Sequence, residues 1–375
     1  MIKLDDLDTY EPAARIVVIG VGGAGNNAVN RMIDESIDSV EFFVANTDKQ
    51  ALATSKAKNR LVLGNEITKG LGAGGDPQVG RLAAENSIED IRDIVKGANM
   101  VFIAAGMGGG TGTGAAPVIA KVAREEGALT LAIVTRPFAF EGKKRIQNSI
   151  EGLNNLRDNV DSIIIVSNDK LLFISGNAPI GEAFSESDRV LAQSVKTVTD
   201  LILMPAVINL DFADVKTTLE GSGVALIGFG LGQGPQKAMD AAQSAINSPL
   251  LETSIRGARK AIIAVTCGPQ VSLLEAQDAV DLLIGEAGNA IDVKFGVSIN
   301  NQLNDQLLVS VIASDFVEEF DFAHIPQVSS RLGTKPVSSN IDEKKTDDEN
   351  ENIEKVNEER ESIIPTFLRK GKDGE

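Results

Sequence analysis

The stretch GMGGGTGTG at residues 106–114 constrains this chain more than any other feature, because six of its nine positions are glycine. It follows the apolar run MVFIAA (100–105) and opens the amphipathic run AAPVIAKVAREE. Glycine runs in linkers are flexible. One wedged between a buried strand and a helix instead lets backbone amides approach a ligand from several directions, as an anion-binding nest. Thr111 and Thr113 add hydroxyl groups to it. A second loop, GVGGAG (20–25), joins the apolar strand RIVVI to the helical run NNAVNRMIDES. That is G-x-G-x-x-G in a strand–turn–helix context, with a helix N-terminus to favour phosphate. Alone it reads as a dinucleotide-binding unit, with Asp48, 23 residues after Gly25, as the ribose acid. Two such loops instead suggest a chain of phosphates held from two sides. A third cluster, GLGAGGDP (70–77), precedes a helix near residue 79 and is placed to close over a terminal phosphate. The chain has no G-x-x-x-x-G-K-[ST], so phosphate binding rests on amides, hydroxyls and a metal ion rather than on a P-loop lysine.

The rest of the pattern is α/β. Apolar runs at 15–19, 41–45, 100–105, 129–134 and 162–166 alternate with helical patterns near 79–96, 113–126 and 143–158. That alternation predicts a doubly wound, Rossmann-like sheet. One long helix is predicted over 179–204, with Ala183, Val190, Leu191, Val195, Val198, Leu201 and Ile202 as its apolar stripe. Strand candidates at 224–229, 260–266, 292–299 and 307–314, with helices at 235–247 and 272–287, predict a second, smaller α/β domain. The expected organisation is a flexible segment 1–14, a nucleotide domain 15–178, the central helix 179–204, the second domain 205–316, a linker 317–362 and a terminal peptide 363–375. Residues 341–362 carry ten acidic and four basic residues and few strong hydrophobes, a composition expected to stay disordered. Beyond it come Ile364, Pro365, Phe367, Leu368 and Arg369, an apolar-then-basic patch that reads as a short binding motif.

Composition removes several function classes. Thirty-six basic against 53 acidic residues gives a net charge of −17, a field that repels nucleic-acid backbones. Aromatics are 4% with no Trp, too few for base-stacking platforms. One cysteine and one histidine exclude a disulfide framework and a multi-cysteine zinc site, and no protein metal site is expected. No apolar window approaches 18 residues, and the acidic N-terminus lacks a signal-like apolar core. The chain therefore reads as cytoplasmic, with no direct membrane insertion.

GMGGGTGTG resembles the signature loop of the tubulin and FtsZ superfamily. GVGGAGNNAVN (20–30), NTDKQAL (46–52), TKGLGAGGDP (68–77), RPFAFEGKKR (136–145), NDKLL (168–172) and NLDFADV (209–215) resemble bacterial FtsZ in order and spacing, as does the tail IIPTFLRK (363–370). The resemblance covers about residues 12–316 and implies a GTPase that assembles head-to-tail into protofilaments and forms the division ring at mid-cell. It implies GTP/GDP as ligand, with Mg²⁺ held mainly through the phosphates and water. Gly22, Gly23, Ala24, Gly25 and Asn26, with Gly106 and the 108–113 loop (Gly108, Gly109, Gly110, Thr111, Gly112, Thr113), would hold the phosphates. Ala73 and Gly74 would face the γ-phosphate, and Glu141 and Arg145 the ribose. Asn168, Phe184 and Asp188 would take the guanine. Positions 184 and 188 share a helix face, so Phe184 can cover the base while Asp188 accepts from two N–H groups that adenine lacks.

The resemblance also implies that Asp211 and Asp214, with Asn209, complete the GTP site of the next subunit and act on the attacking water. From the residues alone, Asp211 reads as a helix cap and Asp214 as a first-turn acid. The tail motif would bind membrane-tethering and regulatory division proteins. Three positions depart from the family's usual residues: Ala24, commonly Gly, and Gly75 and Asp76, often Ala and Asn. Two alternatives stay open, a nucleotide-gated structural filament with little hydrolysis and an NAD(P)-dependent oxidoreductase.

Overall fold

The computed structural model describes residues 14–37, 40–175, 179–204, 206–248, 250–251, 253–288, 291–317, 320 and 322. The terminal peptide with Ile364, Pro365, Phe367, Leu368 and Arg369 lies outside these residues, as do nearly all of the 1–14 segment and the acidic linker.

The first half runs β1 (Ile16–Val21), α1 (Gly22–Asp34), β2 (Glu41–Asn46), α2 (Lys49–Ala53), β3 (Asn59–Val62), α3 (Asn65–Thr68), α4 (Pro77–Asn86), α5 (Ile88–Val95), β4 (Met100–Gly106), α6 (Thr111–Glu125), β5 (Leu129–Arg136), α7 (Lys143–Arg157), β6 (Ser162–Ser167) and α8 (Asn168–Ser175). Then follow α9 (Ile180–Leu203), α10 (Phe212–Leu219), β7 (Gly223–Gly232), α11 (Lys237–Ile246), β8 (Ala258–Cys267), α12 (Leu273–Ala287), β9 (Asp292–Ile299) and β10 (Leu307–Phe316). The strands lie in the order β3-β2-β1-β4-β5-β6-β7-β10-β8-β9.

Every pairing from β3 across to β7 is parallel. Parallel strands covered on both faces read as continuous apolar runs, and β1 shows why. Its Ile16 and Val18 pack into one layer with Val29 and Met32 of α1 and Val195 and Val198 of α9. Its Val17, Ile19 and Val21 pack into the opposite layer with Ile91, Ile119 and Leu153 from α5, α6 and α7. β7 is shared between the two halves. Gly223, Val224 and Ala225 pair parallel with β6, and Leu226–Gly232 pair antiparallel with β10. The core that α9 closes also takes in Ala225, Ile227, Ile262 and Ile312, so this helix is packed by both halves.

The predicted stripe of α9 is the buried one: Ala183, Val190, Leu191, Val195 and Val198 are buried, and Leu201 and Ile202 half-buried. Two local expectations change. The single helix near 79–96 is two helices broken at Ser87, whose hydroxyl accepts from Gly64 N at 3.0 Å. A side chain engaged by a neighbouring turn competes with helix continuation. The edge strand β3 was not expected, because NRLV offers only two apolar residues and no period.

Candidate functional site

Strands β1, β4, β5 and β6 end on the same edge of the sheet, and there the predicted loops converge. This C-terminal edge is where open α/β sheets bind ligands. The two glycine loops interlock at backbone distance. A Cβ on Gly22 would lie 2.8 Å from Gly112 N, and one on Gly112 would lie 2.6 Å from Gly106 O. A Cβ on Gly25 would meet Ala104 O at 2.2 Å. Gly22 and Gly108 also adopt φ of +72° and +101°, where only glycine is unstrained. The methyl of Ala24 is accommodated because its partner is Gly106; a Cβ there would approach it to 2.7 Å.

Asn26 is buried beneath the loop. In the amide orientation that satisfies its neighbours, it donates to Gly20 O and Gly22 O at 2.9 Å and accepts from Asn46 Nδ2 at 3.2 Å. It shapes the loop from below. Thr113 Oγ1 accepts from Gly108 N at 2.8 Å, and Thr111 Oγ1 shares a 2.7 Å hydrogen bond with Thr47 Oγ1. Neither α1 nor α6 has a side-chain cap or a first-turn acid, so their first N–H groups remain for an anion.

The third loop stands against the second: a Cβ on Gly110 would lie 2.8 Å from that of Ala73. Gly74 and Gly75 have positive φ and face open space, as does Gly109. Asp76 does not point a free charge at this cradle. Its Oδ1 accepts from Gln78 N at 2.9 Å and caps α4, where Pro77 opens the helix. Asp48 likewise is the cap of α2, accepting from Gln50 N at 2.8 Å and Ala51 N at 3.3 Å, which takes it out of the ribose role.

Beside the phosphate loops lie the groups expected for sugar and base. Glu141 accepts from Phe138 N at 3.0 Å and pairs with Arg145, whose side chain is exposed. Buried Asn168 accepts from Ser187 Oγ at 2.9 Å, which fixes the start of α8 against α9 beside Asp188. Burial pushes the Asp188 carboxyl up to about 7, partly offset by the Arg31 guanidinium. Phe184 meets Phe138 edge-on at 5.0 Å, and Phe138 stacks on Phe140 at 5.0 Å. This three-ring cluster, with Thr47 and Ser187, escaped the sequence reading. Two phenylalanines in RPFAFE, in so aromatic-poor a chain, were the available signal for the rings.

The structure does not bring Asn209, Asp211 and Asp214 to this edge. α9 carries the chain roughly 36 Å away from it at 1.5 Å per residue, and the loop that follows stays at the far end of that helix, where a Cβ on Gly296 of β9 would lie 3.5 Å from both Leu201 and Leu210. There Asp211 and Asp214 form a reciprocal cap: Asp214 N donates to Asp211 Oδ1 at 2.8 Å, and Asp211 N to Asp214 Oδ2 at 3.3 Å. Both local readings of these acids therefore hold. Lys294 Nζ stands 4.0 Å from Asp214, and the preceding loop is bridged to β9 through Val207 and Ile208 against Val297. Asn209 and Asp211 are exposed.

Glycine turns, uncapped helix ends and a carboxylate beside a half-exposed ring give this edge the groups that a phosphate chain and a base can bind, without a P-loop. Comparison with known families narrows the class. Residues 15–176 match the Tubulin/FtsZ family, GTPase domain, and residues 223–317 match the FtsZ family, C-terminal domain. An empty FtsZ dimer structure from M. jannaschii is 36% identical, with a TM-score of 0.80 over 90% of this chain and 100% of that one. A point-mutant FtsZ structure from M. jannaschii is 40% identical, with a TM-score of 0.77 over 81% of this chain and 91% of that one. CetZ2 from Haloferax volcanii, solved as a GTPγS-bound protofilament, shares the fold at 22% identity and a TM-score of 0.69 over 80% of this chain and 92% of that one. The chain belongs to the FtsZ family, and it is a GTPase that binds guanine nucleotide.

Proposed function

We propose that the chain is the cytoplasmic filament-forming GTPase of bacterial division, hydrolysing GTP between subunits and assembling into a ring at mid-cell. One observation carries this reading: the nucleotide loops and the acid loop occupy opposite ends of one chain. A second copy stacked head-to-tail would set Asp211, Asp214 and Asn209 of one subunit over the phosphates of the next. There a carboxylate orients the attacking water and assists its deprotonation as the bond to the β-phosphate breaks. Ala73, Gly74 and the 106–113 loop hold the phosphates, Glu141 and Arg145 the ribose, and Asn168, Phe184 and Asp188 the guanine. Among the described residues no cluster of three or more His, Cys, Asp or Glu side chains could hold a metal. Mg²⁺ would be held mainly through the phosphates and water, neutralising charge on the transferred group.

The surface around the acid loop supports the stacking. Met204, Val207, Leu273, Leu274 and Ile299 are each more than half exposed. The backbone gathers them: Val207 N donates to Val297 O at 2.8 Å, Asn300 N to Cys267 O at 2.8 Å, and Val271 N to Gly268 O at 3.1 Å. At the nucleotide end Leu71 is 83% exposed and Phe140 is also exposed. Apolar patches of this kind mark protein contacts. Hydrolysis that needs the contact should show phosphate release rising only above a threshold protein concentration, in step with GTP-dependent pelleting. Release strictly proportional to protein at every concentration would defeat the reading. Leu273→Glu should raise the assembly threshold roughly 100-fold or more, as expected for an unpaired charge buried at an interface. GTP binding by monomers should be unchanged in the same variant.

The terminal peptide, with Ile364, Pro365, Phe367, Leu368 and Arg369, is proposed to bind membrane-tethering and regulatory division proteins. An apolar–basic motif on an acidic tether can reach such partners without touching the core. Among the described residues no helix is long and apolar enough to cross a membrane. Removing residues 363–375 should leave pelleting and phosphate release near wild type while partner capture is lost. A truncated chain that no longer polymerises with GTP would refute this assignment.

A further inference from the structure

We infer that Asn148 is a positioning residue of the phosphate cradle, latching the second and third glycine loops so that the peptide between Gly108 and Gly109 keeps its N–H toward the nucleotide. Asn148 stands on α7, outside every segment assigned to nucleotide contact. Its Nδ2 lies 3.4 Å from Gly108 O and 3.4 Å from Gly75 O. An amide nitrogen carries two hydrogens, one for each carbonyl.

The consequence follows from peptide geometry. In a trans peptide the C=O and the following N–H point in opposite directions. A Gly108 carbonyl drawn toward α7 therefore turns the Gly109 N–H away from α7. The backbone on either side leaves that plane free to turn. Gly108 has φ +101°, and a Cβ on Gly109 would meet no atom within 4 Å. Glycine on both sides of a peptide permits it to flip. The flipped form would aim a carbonyl oxygen, not a donor, at a phosphate. The first turn of α7 already abuts this point, since a Cβ on Gly108 would lie 2.7 Å from Arg145 O. Through Gly75 O the same amide also restrains the third loop, whose Gly74 and Gly75 face open space.

Asn148 is half-buried and lines an open groove of about 720 Å³ between α4, α6 and α7. It can therefore be replaced without disturbing the core. The inference rests on guanine-nucleotide binding at this edge. Its test is direct binding of GTP, GDP and guanosine to the full-length wild type, Asn148→Ala and Asn148→Gln, with kcat and KM measured on the same samples. Wild type must first bind GTP more tightly than guanosine; otherwise the site assignment itself fails. Asn148→Ala should then weaken GTP and GDP by about tenfold, as for loss of a hydrogen bond to a charged group. Guanosine affinity should not change, because the latch acts on phosphates alone. KM should rise more than kcat falls, and Asn148→Gln should recover part of the loss. Unchanged GTP and GDP affinity would overturn the latch. Equal weakening of all three ligands would also overturn it, since it would mean a general role in structure.

Discussion

Asp214→Ala will bind GTP as tightly as wild type in the monomer yet lose hydrolysis by roughly 10²–10⁴-fold, the range for a positioned acid or base. Asp211→Ala will do the same. Neither carboxylate belongs to its own subunit's nucleotide edge, because the length of α9 separates them from it. Each substitution also removes half of the reciprocal cap on α10, at about 0.5–2 kcal/mol, so thermal stability should fall slightly. Filaments of either variant should persist longer, since their GTP is not consumed. Mixing one variant with a chain that has an intact acid loop but a blocked phosphate site, such as a Thr111 variant, should restore some activity. Loss of monomer binding, or no rescue in filaments seen by electron microscopy to contain both chains, would rule out catalysis across the interface.

Asp188→Ala will weaken GTP binding and collapse the preference for GTP over ATP, a preference that sites of this kind hold at roughly 10⁴–10⁵ at best. In the role proposed for it the carboxylate would accept from guanine N–H groups, so only its ionised form would bind well. Burial raises this carboxyl from 3.8 to about 7 in the free protein. GTP affinity should therefore rise with pH up to about 7 and level off above it. Below that point it should approach a tenfold loss per pH unit in the limit, about 1.4 kcal/mol each. The folding linkage has the opposite sign. A raised carboxyl pKa means the free protein binds more protons than the unfolded chain, so its stability falls as pH rises from 3.8 to about 7. Titrations with GTP and ATP between pH 5.5 and 8.5, of the order needed to bracket that value, check both statements. Wild-type discrimination retained in the variant would show that the base is read elsewhere.

The nucleotide edge was legible because its residues are constrained locally. Gly22, Gly108 and Gly112 must be glycine for the backbone to turn and to approach, and that demand survives in one dimension as GVGG and GMGGGTGTG. The stripe of α9 was legible for a similar reason, since both halves pack on it and impose a helical period. What stayed hidden depends on contacts distant in sequence. Asp48 and Asp76 carry charges that a linear reading places near ribose and phosphate respectively, yet each caps a helix. β3 has too few apolar residues to announce a strand and exists because β2 offers it an edge. The pairing of Thr47 with Thr111 and the reach of Asn148 across two loops join positions 64, 40 and 73 residues apart, which no spacing rule anticipates.

The shared strand β7 has a mechanical consequence. Tension drawn between the two ends of the subunit is shared between α9 and the sheet where β6 meets β7, and there Gly223, Val224 and Ala225 are zipped to β6. Strands loaded along their length resist as a row of bonds sheared together, and these three register pairs are the shortest ladder among the described strands. α9 runs alongside as a strut, anchored by buried Val190, Leu191, Val195 and Val198 in a core common to both halves. A force-bearing polymer of such subunits would load this seam directly, with α9 as the strut about which one half turns against the other.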